Sequence, residues 1–173
     1  EAIPGHHFQL AIQQELAALP RFRRFGGYGA YIEGWGLYAE SLGYEMGFYT
    51  DPYDHFGALS AEIWRAARLV LDTGLHAKNW TREQAIDYLT ANTAIGPLDA
   101  VAEVERYIAV PGQALSYKIG ELKFKELRAR SHKALGAHFD IKEFHRQLLI
   151  DGALPLDVLD AKIERWIANQ TRS

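Results

Sequence analysis

The chain begins with Glu1-Ala2-Ile3-Pro4-Gly5-His6-His7-Phe8-Gln9-Leu10, the stretch on which the interpretation of all 173 residues depends. Its two adjacent histidines follow a Pro-Gly break and open an apolar run that favours a helix. Imidazole nitrogens bind zinc, and a carboxylate such as Glu1 can act as the base for a water at the metal. Pro4 and Gly5 disturb regular helical geometry, so a kink or bulge is expected where this helix begins.

The composition is that of an ordinary globular protein, with 48% hydrophobic and 24% charged residues and a net charge of −3. Positive charges form no stripe that could follow a phosphate backbone, which argues against nucleic acid as a partner. The absence of cysteine excludes disulfides and thiolate metal ligands, leaving His and carboxylates. No apolar run approaches the roughly 18–20 residues of a transmembrane helix. Cytoplasmic and periplasmic locations both stay open, because a signal peptide would precede these residues.

The spacing of apolar residues predicts an all-α chain of about seven helices in a single domain covering residues 1–173. The main helices are expected over residues 6–19, 28–48, 58–77, 82–92, 98–108 and 113–135. The segment Thr81-Arg82-Glu83-Gln84 has the pattern of a capping box, which predicts where the helix over 82–92 begins. Residues 21–30 and 49–57 are predicted to be connections.

The helix over 58–77 carries apolar residues at helical spacing, which predicts one face packed in the core. These residues are Leu59, Ile63, Ala66, Leu69, Val70 and Thr73. On the same helix, Asp72 and His76 are one turn apart and can meet as a hydrogen-bonded pair. Such a pair could fix a histidine tautomer for substrate binding, or His76 could simply favour the helix C-terminus.

Glu33 stands between Ile32 and Gly34-Trp35, an apolar setting in which a carboxylate is costly unless it is paired or bound to a metal. Glu40 follows two helical turns later and shares a face with Glu33. The residues alone leave open whether Glu33 forms a structural ion pair or binds a metal.

Several segments together resemble the bacterial family called domain of unknown function 885. The first stretch matches the end of that family's HExxPGHHxQ motif. The resemblance continues through the segments Tyr31–Glu40, Asp72–His76, Arg106-Tyr107, Pro111–Gly120 and Gly152–Leu156. The family resembles the helical gluzincins, zinc metallopeptidases that include angiotensin-converting enzyme and the thermostable carboxypeptidases. The resemblance therefore implies an all-α, gluzincin-like fold, and a chain that is the C-terminal part of a larger protein and begins inside the motif.

The resemblance also implies a set of zinc ligands. The first would be a histidine immediately before Glu1, in the missing N-terminal part of the protein. The second would be His6, with His7 as the alternative, and the third Glu33. Glu1 would be the general base, and Glu40 could orient a histidine ligand.

Gluzincins also use a late-helix donor, such as a tyrosine, to stabilise the oxyanion of the tetrahedral intermediate. The resemblance places that role among Tyr107, Gln113 and Tyr117, with Tyr117 favoured.

These expectations predict a zinc-dependent hydrolase acting on a peptide substrate, with zinc as its cofactor. Without the first ligand, this chain is expected to bind zinc weakly or not at all and to be inactive. The alternative is a non-catalytic helical domain that binds peptides or has a structural role. Hydrolysis of a non-peptide amide or ester would use the same groups. Glu1 and Glu33 distinguish the zinc hydrolase from the non-catalytic domain, because a non-catalytic domain has no need of these carboxylates.

Overall fold

The computed structural model describes residues 3–171, and 78% of these residues are helical. Within residues 3–171 there is no β-strand, and the all-α prediction is confirmed. The nine α-helices in this range are α1 (His6–Glu15), α2 (Arg21–Phe25), α3 (Gly29–Glu45), α4 (Pro52–Ala77), α5 (Arg82–Asn92), α6 (Pro97–Ala109), α7 (Gln113–Leu135), α8 (Ile141–Leu149) and α9 (Leu156–Gln170). A short 3-10 helix, Gly136–His138, follows α7. No helix of the described range is both long and apolar enough to cross a membrane.

Two predicted connections are in fact helical: one forms an additional helix, and the other lengthens a helix that was predicted. The first is α2, which follows Pro20 directly. The second is the first turns of α4, which begins at Pro52 instead of near residue 58. The Asp51 side chain accepts a hydrogen bond from the Tyr53 backbone N–H at 2.8 Å, and Pro52 occupies the first helical position. This N-cap and proline pair starts the helix despite the turn-forming composition around it.

The capping box and the long helix near the C-terminus are where the sequence placed them. Thr81 Oγ1 accepts from the Gln84 backbone N–H at 3.1 Å, and Gln84 Oε1 accepts from the Thr81 N–H at 2.8 Å. The helices α5 and α7 have the predicted limits. A local signal that satisfies backbone donors therefore fixed the start of α5.

The chain, expected to form one domain, divides into two compact units. Unit 1 comprises residues 1–40 and 119–173, and unit 2 comprises residues 41–118. The core of unit 1 is aromatic: Tyr38 and Phe124 stack with ring centroids 6.0 Å apart, and Trp35 meets Phe124 edge-on at 6.1 Å. These three side chains are at most 1% exposed.

A close approach of α3 to α7 lies beside this aromatic core in unit 1. A Cβ atom added to Gly34 would lie 2.4 Å from Gly120 Cα, and one added to Gly120 would lie 1.9 Å from the Ala30 carbonyl oxygen. Only residues without a side chain allow two helical backbones to come this near.

The core of unit 2 is formed by α4, α5, α6 and the start of α7. Its α4 contribution is not the predicted face: Leu59, Ile63 and Val70 are 51%, 46% and 38% exposed. The residues of α4 that are buried instead are Ala67, Arg68, Leu71, Asp72 and Gly74. Small residues at this face let neighbouring groups pack closely, as where the Trp80 ring lies against Gly74. The sequence prediction was wrong here because apolar spacing does not distinguish the face that finds a partner.

Candidate functional site

The Pro-Gly-His-His segment is held against α3 in unit 1. The Trp35 indole Nε1–H donates to the Pro4 carbonyl oxygen at 2.8 Å. The Gln9 side-chain amide, in a residue only 2% exposed, donates to the Tyr31 carbonyl oxygen at 3.4 Å. These contacts fix the start of α1 on the helix that carries Glu33.

His6 is the histidine that meets Glu33. Its Nε2 atom lies 3.5 Å from Glu33 Oε2, and its Nδ1 atom lies 3.2 Å from Gln9 Oε1. The two side chains are 33% and 22% exposed, so the pair is partly screened from solvent. Gly36 makes room for the imidazole, because a Cβ atom there would lie 2.6 Å from His6 Nε2.

The contact with Gln9 determines which nitrogen of His6 carries a proton. A glutamine carbonyl oxygen is an acceptor, so Nδ1 must be the donor in this contact. Nε2 then faces a carboxylate oxygen across 3.5 Å. Two acceptor atoms face each other stably only with a proton or a cation between them.

This pair fits two positions of a tetrahedral zinc site. Ligand atoms bound at 2.0–2.1 Å to one tetrahedral zinc lie roughly 3.3 Å apart, close to the observed separation. A ligating histidine commonly donates its other ring N–H to an acceptor, the role that Gln9 has here. Among residues 3–171, no group of three or more His, Asp or Glu side chains could hold a metal ion. Glu1 lies outside the described residues.

The other candidates near the motif have different surroundings. His7 is exposed, so of the two histidines it is His6 that the fold brings to Glu33. Glu40 is also exposed, two turns further along α3. The side chain at His6 Nδ1 is Gln9, where the sequence analysis had considered Glu40 for orienting a histidine.

In unit 2, the Tyr107 hydroxyl is fully engaged in a buried polar cluster. It accepts from Arg68 Nε at 3.0 Å and from Trp64 Nε1 at 3.1 Å, and it donates to Glu103 Oε2 at 2.7 Å. Burial is the largest influence on this group and raises the pKa of Tyr107. This arrangement gives Tyr107 a structural role within unit 2.

Gln113 and Tyr117, one turn apart on α7, are brought together. Gln113 Nε2 donates to the Tyr117 hydroxyl at 3.1 Å, while Gln113 Oε1 accepts from Arg106 at 3.0 Å. The Tyr117 ring also lies against the Arg68 guanidinium, 4.6 Å from ring centroid to Cζ. Tyr117 is partly exposed.

Asp72 and His76 bind different partners instead of each other. The Asp72 carboxylate accepts from the Gly112 backbone N–H at 2.9 Å, and His76 Nε2 lies 3.0 Å from the Tyr107 carbonyl oxygen. Asp72 is 3% exposed and holds the turn before α7, where Gly112 has a positive φ of 82°. Asp72 thus ties α4 to the turn between α6 and α7, and His76 ties α4 to the last turns of α6.

The family model described as "Bacterial protein of unknown function (DUF885)" matches residues 1–163. The chain belongs to this family. The predicted family membership is therefore confirmed.

Two of the solved structures that are similar to this DUF885 chain illustrate the relationship. One is described as a putative lipoprotein from Colwellia psychrerythraea, with 51% sequence identity and a TM-score of 0.95 over 98% of this chain. The other is described as a putative lipoprotein of unknown function from Shewanella oneidensis, with 27% identity and a TM-score of 0.83 over 93% of this chain. The match covers 29% of each of those chains, so this chain spans less than a third of their length. No curated protein matches the chain.

Two structural features of this DUF885 chain were not predicted from its sequence. The first is a pair of buried glutamines, Gln9 and Gln13, each 2% exposed. Gln13 donates to the carbonyl oxygens of Arg23 and Gly26, both at 2.7 Å. Gln9 could have been noticed, because a glutamine one turn after a histidine on a helix can reach it.

The second is the ion pair between Arg68 and Glu103, joined at 3.2 Å. Arg68 is 5% exposed and lies over the Trp64 ring, 4.6 Å from its centroid. Burial alone would raise the pKa of Glu103, but hydrogen bonds from Arg106 and Tyr107 and the positive charges outweigh it, so this pKa is lowered. No local signal marks a pair whose members are so far apart in sequence.

Proposed function

We propose that His6 and Glu33 are two ligands of a zinc site that hydrolyses peptide bonds in the longer proteins of this family. The observation that carries the proposal is the 3.5 Å separation of His6 Nε2 and Glu33 Oε2, with His6 Nδ1 bound to Gln9. Zinc, when bound, would act as a Lewis acid on the scissile carbonyl and acidify a water molecule. A further ligand, expected immediately before Glu1, would complete the protein ligands.

The chain's own residues have separate roles in this proposal. Gln9 keeps the proton of His6 on Nδ1, which leaves Nε2 as the ligand atom. Gly36 leaves the space that the imidazole occupies. Glu1 would take the proton of the attacking water and pass it to the leaving amine. Among the proposed oxyanion donors, the described contacts of Tyr117 use its oxygen as an acceptor and leave its proton available.

A zinc titration with and without one added residue tests the ligand set. We expect the chain to bind zinc weakly, and a single histidine placed immediately before Glu1 to raise the affinity at least about 100-fold. In that extended protein, Glu33→Ala should remove the gain, because loss of even a group behind a ligand typically costs about 10–100-fold. Isothermal titration calorimetry gives the affinities, and circular dichroism checks that each variant is folded.

Two further variants separate His6 from its neighbour. Gly36→Ala should displace the His6 ring and weaken zinc binding about 10-fold or more, because the new methyl group would occupy the imidazole's position. His7→Ala is the matched control and should leave the affinity unchanged. If the added histidine gives no gain in a folded protein, the zinc site is wrong, and a non-catalytic peptide-binding or structural domain becomes the better interpretation.

We further propose that the protein acts outside the cytoplasm, since the Colwellia and Shewanella proteins are both described as putative lipoproteins. Fractionation of the native bacterium should recover the protein with the cell envelope or the periplasm. Recovery in the cytosolic fraction alone would contradict this location.

A further inference from the structure

An apolar stripe runs along the first half of α4, in unit 2. We call Tyr53, Phe56, Leu59 and Ile63 the α4 stripe. They are 86%, 61%, 51% and 46% exposed, and spacings of three, three and four residues place them on one face of the helix. Single exposed apolar residues are common, but four in a row on one helical face indicate an interaction surface.

The stripe belongs to a helical segment that lacks the burial of the rest of α4. All residues over 51–57 are exposed, whereas the second half of the same helix carries the buried Ala67 and Leu71 of the unit 2 core. Most helical stability in proteins comes from packing an amphipathic face, whereas the apolar face of this half of α4 stays exposed.

The charge around the stripe narrows the choice of partner. Residues 41–64 contain four acidic side chains and no Lys or Arg, and Lys118 from α7 offsets one of the four, Glu62, at 3.1 Å, so the region stays acidic. A second copy in a symmetric dimer would bring this acidic region against itself, and an anionic lipid surface would repel it. The complementary partner is a polypeptide helix with apolar residues on one side and basic residues beside them.

The similar solved chains show where such a helix could come from. The match with the Colwellia protein covers 98% of this chain but only 29% of that chain. We propose that, in the longer proteins of this family, a basic amphipathic helix from outside the matched segment packs on the α4 stripe. The stripe is then an internal interface between this helical region and the rest of the protein, and it is independent of the proposed zinc site.

Amide hydrogen exchange on two proteins tests this interface: the present chain and the complete Colwellia protein. In the present chain, residues 52–60 should exchange at least about 10-fold faster than residues 67–75 of the same helix. In the Colwellia protein, the segment aligned with 52–60 should exchange at least about 10-fold slower than it does here. The segment aligned with 67–75 is the internal control and should be protected in both.

Three results would overturn the proposal. The first is equally fast exchange of the aligned segment in the Colwellia protein, which would leave the stripe uncovered there. The second is sedimentation of the present chain as a dimer that Phe56→Ser converts to a monomer, which would make a second copy the partner. The third comes from carbodiimide cross-linking of the Colwellia protein. We expect cross-links between the segment aligned with 51–64 and lysines outside the matched region. Cross-links only within the matched region would contradict a basic partner.

Discussion

Replacing Gly120 with alanine is expected to lower the free energy of unfolding of unit 1 by about 3 kcal/mol, and Gly120→Val by more. The reason is the close approach of α3 and α7. A Cβ atom on Gly120 would lie 1.9 Å from the Ala30 carbonyl oxygen and 2.5 Å from Gly34 Cα. Both are backbone atoms within helices, so no side-chain rotation can relieve the overlap, and the helices must separate.

Separation of these helices would disturb the aromatic core that they share. Tyr38 and Trp35 on α3 pack against Phe124 on α7, so moving the helices apart opens gaps between large buried rings. Urea unfolding followed by tryptophan fluorescence measures the loss, since Trp35 is 1% exposed and reports directly on this core.

Gly57→Ala is the matched control for Gly120→Ala. Gly57 lies within α4, and nothing is within 4 Å of a Cβ atom placed there. The same substitution should therefore stabilise α4 by about 0.5–1 kcal/mol through helix propensity alone. If Gly120→Ala has a similarly small effect, the two backbones are further apart than described.

The sequence predicts helix boundaries where nearby side chains satisfy backbone groups. It does not predict which residues pack against an element that is distant in the sequence. The capping box at Thr81 determined the start of α5 correctly because both of its hydrogen bonds are made within four residues. Gly34 and Gly120, by contrast, look like weak helix-forming residues in the sequence. Their role, which is to allow the two helical backbones to approach closely, becomes visible only once α3 and α7 are placed against each other.

The residues of the candidate site likewise differ in whether the sequence could predict their contacts. His6 and Glu33 could be named because they belong to motifs that resemble a family, and the structure brings them within 3.5 Å. The partner of the buried Arg68 could not be named, because Glu103 lies on another helix, far along the chain. Asp72 and His76 had ideal spacing for a pair, yet Asp72 binds the backbone of Gly112 and His76 that of Tyr107, which local spacing cannot reveal.

Glu103→Gln is expected to lower the free energy of unfolding by about 3 kcal/mol at pH 7, because it leaves the buried Arg68 guanidinium without its counter-charge. Arg68 is 5% exposed, and the same carboxylate also binds Arg106 at 2.7 Å and accepts from Tyr107 at 2.7 Å. One neutral amide oxygen cannot replace the carboxylate in all three contacts. Urea unfolding of the wild type and the variant at pH 7 measures the cost.

The lowered pKa of Glu103 makes this cost depend on pH in a defined direction. A carboxyl whose pKa is lower in the folded than in the unfolded state stabilises the fold above its unfolded pKa. That contribution is lost as the pH falls through the lower, folded pKa. The wild type should therefore lose its advantage over Glu103→Gln on acidification from pH 5 towards pH 3, and the two unfolding curves should converge.

Glu105→Gln, on the same helix α6, controls for the chemical change itself. Glu105 pairs with Arg82 at 2.5 Å, but its side chain is 56% exposed, so solvent screens the interaction and its loss should matter little. Its difference from the wild type should stay small at every pH. An equal cost for the two substitutions at pH 7, or a Glu103→Gln deficit that does not shrink as the pH falls, would mean that the Arg68 cluster does not depend on the charge of Glu103. A large, acid-sensitive deficit for Glu103→Gln alone would instead identify burial of Arg68 as the reason that unit 2 requires this carboxylate.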